Sequence, residues 1–161
     1  MAMESRVSSV AKNQRALKVV WIALLFAMFA YTAVVFVFRS SEPPDLGKEA
    51  RIAFLAGGAV LAIASLLIYR FSLSERSLRK KFLETQDQEQ KKRIEELSNR
   101  LLLPHVVPWG INESVVLLGF VLSFLSKNPM DIIPFSVTAT VLQIHMYPRV
   151  KELVERTKDS V

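Results

Sequence analysis

Residues 111–135 read INESVVLLGFVLSFLSKNPMDIIPF, an apolar run with one glutamate near its start, closed by Asn-Pro and followed by a second apolar run. A carboxylate that faces hydrocarbon is costly, so Glu113 must be paired, protonated, turned toward protein or set close to water. Asn128-Pro129 interrupts the helical pattern, and the stretch reads as an outgoing helix, a tight turn and the start of a returning helix. Whether that hairpin belongs in a membrane is decided by the sequence on either side of it.

Hydrophobic residues make up 51% of the 161, which is rich for a soluble domain. Val19 to Phe38 and Ile52 to Tyr69 carry no charge, and each approaches the roughly 20 residues that cross a bilayer core. Val106 to Ser126 is a third such run, charged only at Glu113, and Ile132 to Tyr147 is a shorter, uncharged fourth. The first run follows Lys12, Arg15 and Lys18 as a signal peptide would, but it is long for one and Phe38-Arg39-Ser40 offers no small-x-small cleavage site. It reads as an anchor. There is no cysteine, which removes disulfides, thiolate metal sites and a Cys nucleophile.

The net charge of +6 follows topology rather than nucleic acid. With both termini and the middle segment on the cytoplasmic side, 17 of the 21 Lys and Arg lie inside, as the positive-inside rule requires. Trp21, Tyr69, Phe71, Trp109 and Tyr147 fall near the same inner boundary and make an aromatic belt. The expected fold is an all-α polytopic membrane protein, with four transmembrane helices in two hairpins and a helical cytoplasmic insert. Its parts are a cytoplasmic N-terminal segment (1–18), hairpin 1 (19–71), the insert (72–105), hairpin 2 (106–148) and a cytoplasmic C-terminal helix (149–161). In the first outer loop Pro43, Pro44 and Gly47 break the helix, and Asp45 is the expected N-cap of the second span.

Neither glycine nor proline occurs between Gly58 and Pro104, so a helix can run out of the second span into the insert. Acid-first pairs four apart, such as Asp87 with Lys91 and Glu96 with Arg100, support it. A straight rod would end too far from the membrane for the third span to begin, so the insert bends back near residues 85–92 or lies along the surface. Arg76, Arg79, Lys80 and Lys81 are its candidates for binding anionic lipid or a soluble partner.

Small side chains on the second span, among them Gly57, Gly58 and Ala62, let another helix approach closely. On the third span Asn112, Gly119, Ser123 and Ser126 share a face, and on the fourth Ser136, Thr140, Gln143 and Tyr147 do. If the turn is centred at Pro129, residues whose numbers add to about 258 lie at equal depth, which sets Glu113 level with His145 and within a turn of Gln143. Two states remain open there: a neutral acid hydrogen-bonded to imidazole or amide, or a carboxylate paired with charged His145. His105 is expected at the interface, in water. No triad, zinc-ligand spacing or nucleotide motif is visible, so no catalytic residue, metal or cofactor is expected.

Glu113-Ser114, then Leu118-Gly119-Phe120-Val121-Leu122, then Asn128-Pro129 resembles the ion-binding helix of the rotor-ring c subunit of rotary ATP synthases and ATPases. That resemblance implies a proton- or sodium-binding carboxylate at Glu113, with Ser114 as a ligand neighbour, on a helix running outward from the cytoplasm. It covers residues 111–129. The family's regular Gly-x-Gly series and its short cytoplasmic loop are both missing, and the first and fourth spans are additional.

The reading that follows is a non-enzymatic, multi-pass inner-membrane protein that self-associates or serves as an accessory subunit of a membrane assembly. One alternative is an ion- or proton-conducting oligomer that uses Glu113, Ser114, Gln143 and His145. Another is an anchor that recruits a soluble partner through residues 72–103.

Overall fold

The computed structural model describes residues 2–38, 46–74, 77, 99–149 and 152–153, with side chains from residue 11 onward. Arg76, Arg79, Lys80 and Lys81, the bend near 85–92, the first loop at 39–45 and most of the C-terminal helix lie outside them. The chain forms α1 (Ala2–Val37), α2 (Lys48–Ser72), α3 (Leu102–Leu125), a 3-10 turn (Pro129–Ile132) and α4 (Ile133–His145). Among the described residues three helices are long and apolar enough to cross a membrane: Ala11–Val37, Lys48–Ser72 and Leu102–Leu125.

Helix α1 passes residue 18 without a break, so the N-terminal segment and the first span are one rod. It buries only a narrow stripe, Leu17, Met28 and Val35, and leaves Val19, Phe26 and Phe29 exposed, as befits a helix whose other faces meet lipid. Gly47 takes the N-cap position of α2 without a side-chain bond, so the cap expected from Asp45 falls two residues too early. Both Pro104 and Pro108 sit inside α3, which starts at Leu102, four residues ahead of the apolar run from Val106. Pro104 is tolerated in the first turn, where backbone N–H groups have no helical partner; Pro108 has no N–H to give the carbonyl four residues back.

At the turn, Lys127 adopts a left-handed backbone with φ 53°, and Asn128 accepts a hydrogen bond from the Met130 N–H at 3.1 Å, capping the 3-10 helix. Pro129 then occupies its first turn, and Asp131 meets Arg51 of α2 at 3.5 Å. Helix α4 leads away from this turn beside α3. Asn112 of α3 bonds Gln143, Trp109 bonds the carbonyl of Met146, and Gly119 abuts Phe135. One number rises as the other falls, so α4 runs antiparallel to α3.

Helix α3 is the centre of the fold. It packs against α1 on one side through Glu113 and Phe120, and against α2 on the other through Pro108 and Leu118. Among the described residues the backbones of the consecutive helices α1 and α2 do not come close to each other, and α3 stands between them. The order across this layer is α1, α3, α2. Helix α4 lies on one side of it and contacts all three.

Two apolar clusters hold the arrangement together. At the end of the bundle carrying Leu17, buried Leu17, Leu101, Trp109 and Met146 gather Trp21, Tyr69, Leu73 and Leu153 from the ends of every segment. The larger cluster runs toward Arg51 and Asp131 and is centred on Val115, Val116, Leu122, Ile132 and Phe135. Phe135 is its keystone. Its side chain lies between Gly58 and Gly119, where a Cβ on either glycine would approach one of its atoms to 2.6 Å.

Candidate functional site

The small residues place the helices and thereby build the polar site. Gly58, Ala62 and Ser65 are the buried positions of α2 and recur on one helical face. Because Gly58 and Gly119 receive Phe135, the close approach that they permit is spent inside the chain. Ser123 of α3 is buried on the same side, whereas Gly57 is half-buried with Leu118 3.9 Å from the place of its Cβ.

One layer closer to the Leu17 end, the approach brings together a buried polar cluster. Asn112 Nδ2 donates to Gln143 Oε1 at 3.4 Å and lies 3.6 Å from Met146 Sδ. The Ser65 hydroxyl donates to the Pro108 carbonyl at 2.9 Å, tying α2 to the proline-bearing turn of α3. Two indoles close the layer: Trp21 Nε1 donates to the Gln143 carbonyl at 2.7 Å and Trp109 Nε1 to that of Met146 at 3.1 Å. Both carbonyls lie in the last turn of α4 or just past it, where helical donors run out, so the indoles act as its C-terminal cap. Asn112 Oδ1, Gln143 Nε2 and Ser123 Oγ are buried without a hydrogen-bond partner among the described residues.

Glu113 stands apart from this cluster. Its Oε1 accepts the Tyr31 hydroxyl of α1 at 3.2 Å, and the Tyr31 ring packs edge-on against Phe120 at 5.8 Å. The carboxylate is half-buried. Among the described residues no hydrogen bond or ion pair joins it to His145 or Gln143, so the grouping expected from hairpin depth is divided. Gln143 turns to Asn112, and His145 is exposed on α4. Ser114 is also exposed, with its hydroxyl turned back to the Gly110 carbonyl at 3.0 Å.

His105 is fully buried rather than solvated. Its Nδ1 lies 2.7 Å from the Leu101 carbonyl, and the ring sits between Tyr69 at 6.0 Å and Trp109 at 5.9 Å. The cause is the early start of α3, which carries His105 into the bundle one turn before Trp109. The belt residues do gather at this end: Trp21 meets Tyr147 edge-on at 5.3 Å, and Lys18 Nζ lies 5.5 Å from the Tyr147 ring centre, a cation–π contact. Sequence reasoning missed Tyr31 and read Ser65 only as one of the small side chains of the second span; both hydroxyls lie in otherwise apolar runs. Their polarity within those runs was the available signal.

The arrangement joins helices through hydroxyl, amide and indole donors, with one carboxylate at its edge. Among the described residues no group of three or more His, Asp and Glu could hold a metal ion. No family model, curated protein or solved structure matches the chain.

Proposed function

We propose that the chain is a four-span, non-enzymatic subunit of a larger assembly in a cytoplasmic membrane, with both termini and the 72–105 insert inside. The observation that carries this reading is the layer α1–α3–α2. Its α4 side is filled, while on the other side α3 lies open between two helices whose backbones stand apart. A protein whose work was only to fold in lipid has no need of a carboxylate beside such a face. The Leu17 end, with its aromatic belt and Lys18, is then the cytoplasmic end. Self-association through Gly58 and Gly119 is disfavoured because Phe135 occupies them, so association falls to the open side.

The test is the mass of the protein drawn from its own membrane into nanodiscs without detergent. A complex heavier than the 18.2 kDa chain is expected. A monodisperse monomer without a co-purifying partner would overturn the reading.

A second reading has its own support in Glu113, which among the described residues is bonded to a phenol and to no cation. Such a carboxyl group can exchange a proton or sodium, as the resemblance to the rotor-ring c subunit implies. Preferential labelling of Glu113 by dicyclohexylcarbodiimide, with protection by sodium or high pH, is the expected sign. Unchanged proton flux in Glu113→Gln would sink it.

A further inference from the structure

We infer that the open side of the α1–α3–α2 layer seats a transmembrane helix from a different chain, one that carries a lysine or arginine at the depth of Glu113. This deepens the subunit reading and rests on it. The face is formed by Val107, Gly110, Ser114, Leu117, Val121 and Phe124, which recur at steps of three and four and are all exposed. At Gly110 no atom lies within 4 Å of where a Cβ would stand, so the α3 backbone is bare at that point. Glu113 borders this face on the side of α1.

Three occupants compete for the surface: lipid, a second copy and a foreign helix. Acyl chains would satisfy the apolar residues but would leave the Glu113 carboxyl group with the Tyr31 hydroxyl alone. Glu113 lies one turn beyond Trp109, about 6 Å deeper into the span, where an ionisable group calls for a partner. A second copy fails on charge. Packed face to face about a twofold axis along the membrane normal, it would set the α1 edge of one copy, with Glu113, against the α2 edge of the other, whose run 52–69 carries no Lys or Arg.

Nor can another copy supply a cation from its apolar runs. None of the stretches 19–38, 52–69, 106–126 and 132–147 contains Lys or Arg. The one other basic side chain within them, His145, is on α4, beyond the opposite side of the layer. The complement to Glu113 must therefore come from another protein. A lysine or arginine on an apolar helix would meet the carboxylate across the groove between α1 and α3, while Tyr31 holds its other flank.

The experiment uses the full chain in phosphatidylcholine bilayers with a fluorophore at Met130→Cys, an exposed position at the Asp131 end. The probes are two synthetic leucine–alanine transmembrane helices, one with a single lysine at the depth of Glu113 and the other with leucine there. Energy transfer should report association of the lysine helix about tenfold tighter than that of the leucine helix. Glu113→Gln should erase the difference, and Ser114→Trp should block both helices, with helicity by circular dichroism unchanged in each variant. Equal binding of the two helices, a lysine preference that survives Glu113→Gln, binding indifferent to Ser114→Trp, or energy transfer between labelled copies without peptide would each overturn the inference. Failure here beside a heavy native complex would remove this site and leave the subunit reading standing.

Discussion

Gly58 and Gly119 meet the same side chain but different parts of it. A Cβ on Gly58 would strike the rim of the Phe135 ring, with Cε1 at 2.6 Å, whereas one on Gly119 would strike the stem, with Cβ at 2.6 Å and Cγ at 2.7 Å. A ring can tilt; its stem moves only with the backbone of α4. Gly119→Ala should therefore cost more than Gly58→Ala, within the roughly 1–3 kcal/mol of overpacked cores, as measured by unfolding in mixed micelles. Phe135→Leu should recover part of the loss in the Gly58 variant and less in the Gly119 variant. Equal costs would mean that the ring is not held as described. At this scale the sequence showed which residues were small but not what fills the space, because the filling residue is a phenylalanine from another helix. The same limit hid Tyr31, since nothing in an isolated apolar run tells which neighbour its hydroxyl will find.

Along the elements, periodicity was informative where it concerned one helix and failed where it concerned two. The stripe Asn112, Gly119, Ser123 and Ser126 is buried throughout, as its spacing predicted. The pairing across the turn slipped. Residues in contact add to about 255 rather than about 258, because the reversal is centred at Lys127–Asn128, where the backbone turns left-handed, and Pro129 already belongs to the following helix. The slip moves the position level with Gln143 from Val115 to Asn112, and the one residue from Asn112 to Glu113 is about 100° around the helix, enough to turn the carboxylate away from Gln143. This amide pair then provides a test of the α3–α4 register. Replacing Asn112 or Gln143 singly by alanine strands the other amide in a dry interior, so the double variant should cost less than the sum of the singles. A coupling energy of roughly 0.5–1.5 kcal/mol is expected from a double-mutant cycle. Additivity would place the two amides in independent surroundings.

For the whole molecule, the three long apolar helices were legible from run length, because a bilayer sets a length that a sequence must meet. Their lateral order was not, since apolar faces are alike to one another and short loops bias only consecutive helices to be neighbours. That α3 and not α2 stands beside α1 follows from Phe135, Ser65 and Tyr31 acting together, which no single segment displays. The remaining question of scale is whether α4 crosses. At 13 residues it is short, about 20 Å, but the 3-10 turn in front of it adds about 8 Å, and together they approach the roughly 30 Å of a hydrocarbon core. Pro129 and Pro134 assist at the start of the two helical pieces, where proline is pre-organised and no helical N–H is lost. The chain has no cysteine, so single replacements report alone. With a membrane-impermeant maleimide on right-side-out vesicles, Met130→Cys should react from outside, and Arg149→Cys only after the inner face is opened. Reaction of both from the same side would make α4 a re-entrant segment held against α1, α2 and α3, and would move the C-terminus across the membrane.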